Sequence, residues 1–597
     1  MLYPQDNLFR QMRDLSGFWN FRFDPEELGN RCSWFDGFDG GQPIAVPASW
    51  NEQFADSRDY LGTGWYQTRF HLPWGWQGQR IYLRFNSVNY YAEAWLNGHY
   101  LGNHEGGHLP FVFDITDQVR DAVNLLIVRV NGELAPDHVP PGGLHGAAGI
   151  SFGRTDYPDT SFDFFPYCGI QRPVLIYAVP QEAINDLTVI TEITGTTGVV
   201  KVKLECSSAS SLTALARLDG HGVSLSTEQA LKDNAGEMLL EVPDAALWSP
   251  STPNLYHLSV ELRRNNEAID RYTLRIGIRT IAVEGDQLLL NGQPLRLLGF
   301  GRHEDFPIVG RGLLNPLIVK DYELLRWVGA NSFRTSHYPY SEQMMDLADE
   351  LGFLVIDETP AVGLFFTGDG LAKRSRLCEQ YLRELIARDK NHPSVIMWSL
   401  ANEPHTALPE ARQKYYQGFE VIPGASHPAA VQAFKAQADL ARSLDPSRLV
   451  TLVSHEGALE EVFEFMDVVC LNRYFGWYSQ SGQIEEGVRL LEQELELIHR
   501  RYPKPFVLAE FGADTIPGHH ANPPEMFSEE YQAQFLTRYI QMLNSKPYVV
   551  GQHVWNMCDF KTAQGVVRMG AYNYKGVFTR DRRPKMAAHR LRELWRR

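Results

Sequence analysis

Long apolar runs are missing from this 597-residue chain. None reaches the roughly 20 residues of a membrane-spanning helix. The opening Met1-Leu2-Tyr3-Pro4-Gln5-Asp6-Asn7 lacks the basic-then-apolar layout of a secretion signal. A soluble, cytoplasmic protein without membrane partners is therefore expected. Cysteine is also sparse: Cys32, Cys168, Cys206, Cys378, Cys470 and Cys558 stand singly, with no Cys-x-x-Cys pair and no histidine at ligand spacing. Reduced thiols are expected, with Cys470 and Cys558 as small buried core residues rather than nucleophiles. A basic surplus is absent too. The 56 Lys and Arg against 72 Asp and Glu give a net charge of −16, which argues against a nucleic-acid partner. An anionic substrate would have to be drawn by a local cationic pocket, because the field of the whole molecule opposes it. Adjacent His519 and His520 face different ways, and His303-Glu304 reads as a strand-end motif, so no metal and no cofactor are expected.

What is present is ordinary globular material, 44% apolar and 21% charged, in a chain too long for one core. Three domains are expected. Residues 1–180 carry short alternating runs broken by glycine and proline: Ile81, Leu83 and Phe85 fall on one strand face, Ala92 to Leu96 enters a hairpin at Asn97-Gly98, and Leu125 to Val130 is a further strand. With many aromatics, this reads as a jelly-roll β-sandwich. Residues 181–275 alternate Val200, Val202 and Leu204 against lysines, then Leu258, Val260 and Leu262, as suits an immunoglobulin-like β-sandwich. From 276 to 597 the rhythm changes. Apolar runs at Leu295 to Phe300, Ser332 to Thr335, Phe353 to Ile356, Val395 to Leu400, Leu449 to Val453, Val468 to Leu471, Pro505 to Ala509 and Val549 to Trp555 recur with helical segments between them, which predicts a (β/α)8 barrel. Asp349 to Gly352 and Leu444-Asp445-Pro446 read as helix ends.

Glu403 closes the fourth of these runs and Glu510 the seventh. Carboxylates ending parallel barrel strands point into the mouth where such barrels place their chemistry, and two of them facing one sugar can cleave a glycosidic bond. Either glutamate alone reads better as a cap or an ion-pair partner. Together, with Asn402 and Trp398 beside one of them, they read as a site. Asn402-Glu403-Pro404 and Glu510-Phe511-Gly512 resemble the acid/base and nucleophile motifs of glycoside hydrolase family 2. The resemblance spans nearly the whole chain and is strongest to the family's bacterial β-glucuronidase branch, through Ser161 to Tyr167, Gly299 to Asp305, Arg334 to Pro339, Asp389 to Ser394 and Leu471 to Tyr474.

That resemblance implies a retaining exo-β-glucuronidase with Glu403 as acid/base and Glu510 as nucleophile. A retaining enzyme sets its carboxyls about 5 to 5.5 Å apart, close enough that like-charge repulsion favours a single proton on the pair. The resemblance also implies that Asn402 bonds the sugar 2-hydroxyl, that Tyr474 touches the nucleophile, with Tyr478 four residues on beside it, and that Asp163 reaches over the mouth from the first domain to the distal hydroxyls. His337 and Trp555 fall to further sugar contacts, Trp555 as a stacking platform. Asn573 and Lys575, two apart in an extended segment, project to the same side and could grip one carboxylate, with Arg568 adding positive potential. This Asn-x-Lys resembles the element by which β-glucuronidases recognise the C6 carboxylate.

The loops depart from the enteric pattern. The stretch from Ala361 to Lys373 is short, whereas that from Pro404 to Ala429 is longer and carries Tyr415, Tyr416 and Phe419, an aglycone shelf or a subunit contact. Expected partners are small β-glucuronides or glucuronic-acid-terminated oligosaccharides, with a homo-oligomer, dimer or tetramer, by family analogy. The rival readings are a β-galacturonidase or β-galactosidase of the same family, or a non-catalytic carbohydrate-binding protein.

Overall fold

The computed structural model describes residues 1–144, 157–207 and 212–596. The first unit is a sandwich of two antiparallel sheets. One has four strands, in the order Gln11–Asp14, Val174–Val179, Arg80–Phe85 and Phe111–Asp114. The other has six: Gln42–Val46, Gly17–Phe23, Thr63–Phe70, Asn124–Asn131, Tyr91–Leu96 and His99–Glu105. Period-two alternation does the sorting. Leu126, Val128 and Val130 turn inward against Phe21, Tyr66, Leu83 and Phe85. The turn at Asn97-Gly98 has both residues at positive φ, 55° and 84°, the backbone that a tight two-residue hairpin needs and that Asn-Gly tolerates best.

The second unit packs a three-stranded sheet against a four-stranded one between Ile184 and Ile276. Val200, Val202, Leu204, Leu258, Val260 and Leu262 are all buried, while Lys201 and Lys203 are not. Beyond it, eight parallel strands close into a barrel: β1 (Leu297–Gly301), β2 (Ser332–Arg334), β3 (Leu354–Glu358), β4 (Val395–Asn402), β5 (Leu449–Ser454), β6 (Val469–Asn472), β7 (Phe506–Glu510) and β8 (Val549–Val554). Leu297, Ile356, Met397, Val453, Cys470, Val507 and Ala509 share a core cluster with Trp248 and Leu288. The other faces of the strands pack under the helices. Cys470 and Cys558 are buried, and burial pushes both thiols up to about 12, so they stay protonated packing residues. Among the described residues no helix is long and apolar enough to cross a membrane.

Helix Glu342–Leu351 starts on a Ser341 side chain that accepts the Met344 N–H and stops at Gly352, φ 76°. In its last turn Asp349 Oδ2 lies 2.6 Å from His392 Nδ1. Burial works to lower the imidazole, but Asp349 and Asp389 outweigh it and raise it to about 9. A histidine bound more tightly to its proton in the folded state contributes stability below its unfolded value near 6.5 and loses it as pH climbs through 9. We predict that stability falls by the order of 2–3 kcal/mol between pH 7 and 10 from this group alone. The His392→Gln variant should show a flatter curve in denaturant titrations, and an unchanged slope would refute the assignment.

Candidate active site

The mouth of the barrel is built from strand ends. Glu510 is the last residue of β7, and its peptide carbonyl accepts the Arg473 N–H at 2.9 Å, which fixes the start of the loop after β6. Glu403 follows directly on β4, and its own N–H donates to the Val453 carbonyl of β5 at 2.8 Å. Its φ is 46°, a left-handed backbone uncommon for a residue with a β-carbon and the kind of local strain that gathers at working sites. Asn472, ending β6, donates from Nδ2 to Glu403 Oε1 at 2.8 Å and to Asn402 Oδ1 at 3.2 Å.

Glu510 is held from several sides. Arg334, ending β2 and fully buried, donates to its Oε1 and at the same time to both oxygens of Glu358 at 2.7 and 2.8 Å. The Tyr474 hydroxyl donates to Oε2 at 2.6 Å, and His337 Nε2 stands 3.6 Å from Oε1. Burial is the largest influence on this carboxyl and raises it above its ordinary range. Arg334 and His337 pull it down, and the nearby charge of Glu403 pushes it further up. Glu358 goes the other way. Burial would raise it, but Arg334 and His337 outweigh burial, so it stays ionised as the anchor of Arg334. His337 stacks on Trp555 with ring centroids 4.9 Å apart. Gly512 must be glycine, because a β-carbon there would lie 2.0 Å from the Trp555 carbonyl oxygen.

A second group of side chains sits alongside. Lys575 Nζ donates to the Tyr478 hydroxyl at 2.7 Å, forms an ion pair with Asp514, and is wholly out of solvent. Arg568 grips Asp163 through Nε and Nη2 at 2.6 to 3.0 Å and donates to the Tyr478 hydroxyl at 2.6 Å. Asn573 Nδ2 donates to Asp163 Oδ2 at 2.7 Å. Burial works to raise Asp163, but Arg568 and Lys575 outweigh it and hold the carboxyl below its usual value. The two groups join through aromatic rings. Tyr474 and Tyr478 meet edge to face at 5.3 Å, and Lys575 Nζ lies 5.6 Å from the Tyr474 ring centre.

Every residue named from the sequence as a sugar contact therefore falls in one continuous patch, with Asp163 arriving from the sandwich. Four further members were missed: Arg334, Glu358, Asn472 and Asp514. The end-of-strand position that singled out the two glutamates also marks Arg334, Glu358 and Asn472. Three expectations need correction. Trp398 is not beside Glu403. Its Nε1 donates to Asp445 Oδ2 at 3.1 Å, on the far side from the mouth, because a register shift between Ser399 and Asn402 breaks the alternation along β4. Tyr415 is no shelf, since it is fully buried with its hydroxyl on Glu494 Oε1 at 2.7 Å. Tyr416 does stay about half exposed, at 49%. The cations near Lys575 are not a surplus either, because Asp163 and Asp514 already balance Arg568 and Lys575. What is left unused is donor capacity. An ammonium has three N–H groups and Lys575 uses two, while a Tyr478 hydroxyl that accepts from both cations keeps its own proton to give.

A barrel mouth with paired glutamates belongs to a glycoside hydrolase, and the comparisons agree. The chain matches the TIM barrel domain of glycosyl hydrolases family 2 over residues 281–597, the family's sugar binding domain over 12–180, and a further model described as glycosyl hydrolases family 2 over 182–279. It is 41% identical to a β-glucuronidase of Paenibacillus borealis, covering 100% of this chain and 98% of that one, and 38% identical to that of Homo sapiens, covering 100% and 92%. The structure of a Ruminococcus gnavus β-glucuronidase in complex with C6-substituted uronic isofagomine superposes with a TM-score of 0.90 at 37% identity, over 100% of this chain and 99% of the other. The chain belongs to glycosyl hydrolase family 2.

Proposed function

We propose that this hydrolase is an exo-acting β-glucuronidase that releases glucuronic acid from small β-glucuronides or from the ends of glucuronic-acid-terminated oligosaccharides by double displacement. The observation that carries the reading is the juxtaposition of two elements. A braced carboxylate pair adjoins a buried lysine that has a donor to spare, and the two are separated by little more than a tyrosine ring.

In the first step Glu510 attacks the anomeric carbon while Glu403 gives its proton to the departing glycosidic oxygen. Glu510 is then a neutral ester. The repulsion between the carboxyls is gone, so Glu403 can take a proton from water, which attacks the same carbon and frees the sugar. In this reading Asn402, fixed by Asn472, bonds the 2-hydroxyl. Asp163 and His337 take other hydroxyls, while Trp555, buried and with a ring face stacked on His337, backs the site and does not serve as the expected stacking platform. Lys575, Tyr478, Asn573 and Arg568 supply the donors around the C6 carboxylate. A hydroxymethyl group there would leave the lysine's open N–H facing a group that carries no charge. Turnover of p-nitrophenyl β-D-glucuronide is expected to exceed that of the β-D-galactoside and β-D-galacturonide. A faster galactoside would overturn the assignment.

Tyr474 offers a finer test. Its phenol donates to the ionised form of Glu510, so Tyr474→Phe should lower kcat by about 10- to 100-fold. Losing a hydrogen bond that favours the anion should also move the acidic limb of the kcat/KM profile to higher pH, because Glu510 must be deprotonated to attack. A reduced kcat with an unmoved limb would assign the residue a packing role only.

A further inference from the structure

Two residues beyond Glu403, the loop leaving β4 carries His405, whose N–H donates to the Leu364 carbonyl at 2.7 Å. β5 ends at Ser454, and the next two residues are His455 and Glu456. The two imidazoles meet edge to face with centroids 5.4 Å apart, and His455 Nε2 lies 3.6 Å from Glu456 Oε1. One donor atom from each of the three residues falls within 4.8 Å of the others. His455 Nδ1 is buried without a hydrogen-bond partner. Glu456 is fully buried and paired with Arg412 through Nε at 3.0 Å and through Nη2. The displacement chemistry uses none of these three side chains.

We propose that His405, His455 and Glu456 form a binding site for one divalent transition-metal ion of the Zn2+ or Ni2+ class, beside the loop that carries Glu403. Two imidazoles and one carboxylate suit borderline ions, whereas calcium and magnesium prefer all-oxygen shells. Ligand atoms about 2.1 Å from a tetrahedral zinc stand roughly 3.4 Å from one another. The observed spacing therefore needs a closure of about 1.4 Å at most, and both histidines are only partly buried. Each carboxylate oxygen has two lone pairs, so Glu456 can keep Arg412 and still face an ion. Arg473 links this cluster to the reaction. Its Nη1 donates to the His455 carbonyl and, at 2.9 Å, to the carbonyl of Asn472, whose side chain holds Glu403.

Among the described residues the other group with ligand-like spacing, Asp346, Asp349 and His392, is an ion-pair network. Asp349 holds His392 as imidazolium and also accepts the Ser394 N–H at 3.0 Å, which leaves no imidazole lone pair for a metal.

The test is calorimetric titration of the metal-free full chain with ZnCl2, together with Co2+ absorption spectra, for the parent and for H455A, H405A and the double variant. One ion per chain is expected, with affinity at least about 10-fold weaker in either single variant and the site lost in the double. Bound Co2+ should show the visible bands of a four-coordinate nitrogen and oxygen shell in the parent only. Unchanged melting temperatures would separate lost ligands from lost fold. A double variant that binds with the parent's stoichiometry and affinity would overturn the proposal, as would a parent that binds no ion at all.

Discussion

Replacing Glu510 by glutamine is expected to lower kcat on a β-D-glucuronide by about 10⁴-fold or more, upwards of roughly 5 kcal/mol of lost transition-state stabilisation. The amide keeps the shape, its oxygen can still accept from Arg334 and its NH2 can donate to the Tyr474 hydroxyl, but it cannot form the covalent ester. Residual binding should persist, so KM or an inhibition constant changes far less than kcat. Shorter side chains sharpen the assignment. With Glu510→Ala, added azide occupies the space of the missing nucleophile and should yield the α-glucuronyl azide. With Glu403→Ala, azide should attack the preformed glucuronyl ester and yield the β-azide. An exchange of these two products would reverse the roles of the two glutamates. A Glu510→Gln protein as active as its parent would end the displacement mechanism altogether.

The second large effect concerns selectivity. Lys575→Met should lower kcat/KM for the glucuronide by about 10²- to 10³-fold, roughly 3–4 kcal/mol, through loss of a charged hydrogen bond in a water-excluded position. The corresponding glucoside has a hydroxymethyl group in place of the carboxylate, and its already slow turnover should change by less than about 10-fold. Part of the loss could come from Asp514, which Lys575 now neutralises. Arg568 Nη1 is 3.7 Å from Asp514 and can take over, and the pair K575M/D514N removes the question by deleting both charges. In both proteins the glucuronide-to-glucoside ratio should collapse. An unchanged ratio would show that C6 is read elsewhere.

These two experiments address the parts of the molecule that were most legible in the sequence. Each of the eight barrel strands lies within a residue or two of an apolar run, because a strand buried on both faces must be apolar along its length. Reading the residue that ends each run located both glutamates. The Asn573 and Lys575 pair was legible only through its resemblance to a family motif, since an isolated Asn-x-Lys is usually a solvated loop. What stayed hidden depends on partners remote in sequence. Arg334 braces Glu510 from 176 residues away, and Asn472 reaches Glu403 from 69 residues away. No local pattern records either bond.

Trp398 shows the opposite failure, in which a sound local rule is defeated by a bulge. Alternation would have set it on the same face as Asn402, but the irregularity between Ser399 and Asn402 turned it toward Asp445. Tyr415 shows that an aromatic in a long loop is as ready to be a core residue as a contact surface. Its hydroxyl is committed to Glu494, which is itself ion-paired with Arg473. The charge balance around Lys575 was also beyond the sequence. Only the assembled site shows that Asp163, from the first domain, and Asp514 each neutralise a cation, so that substrate selection rests on open donors rather than on excess positive charge.

The proposed chemistry has one stereochemical signature. Proton NMR of fresh p-nitrophenyl β-D-glucuronide hydrolysis, followed before mutarotation sets in, should show β-glucuronic acid as the first product, since two inversions at one carbon restore its configuration. If the α-anomer forms first, water attacks the anomeric carbon directly, Glu510 is not a nucleophile, and double displacement is wrong for this enzyme.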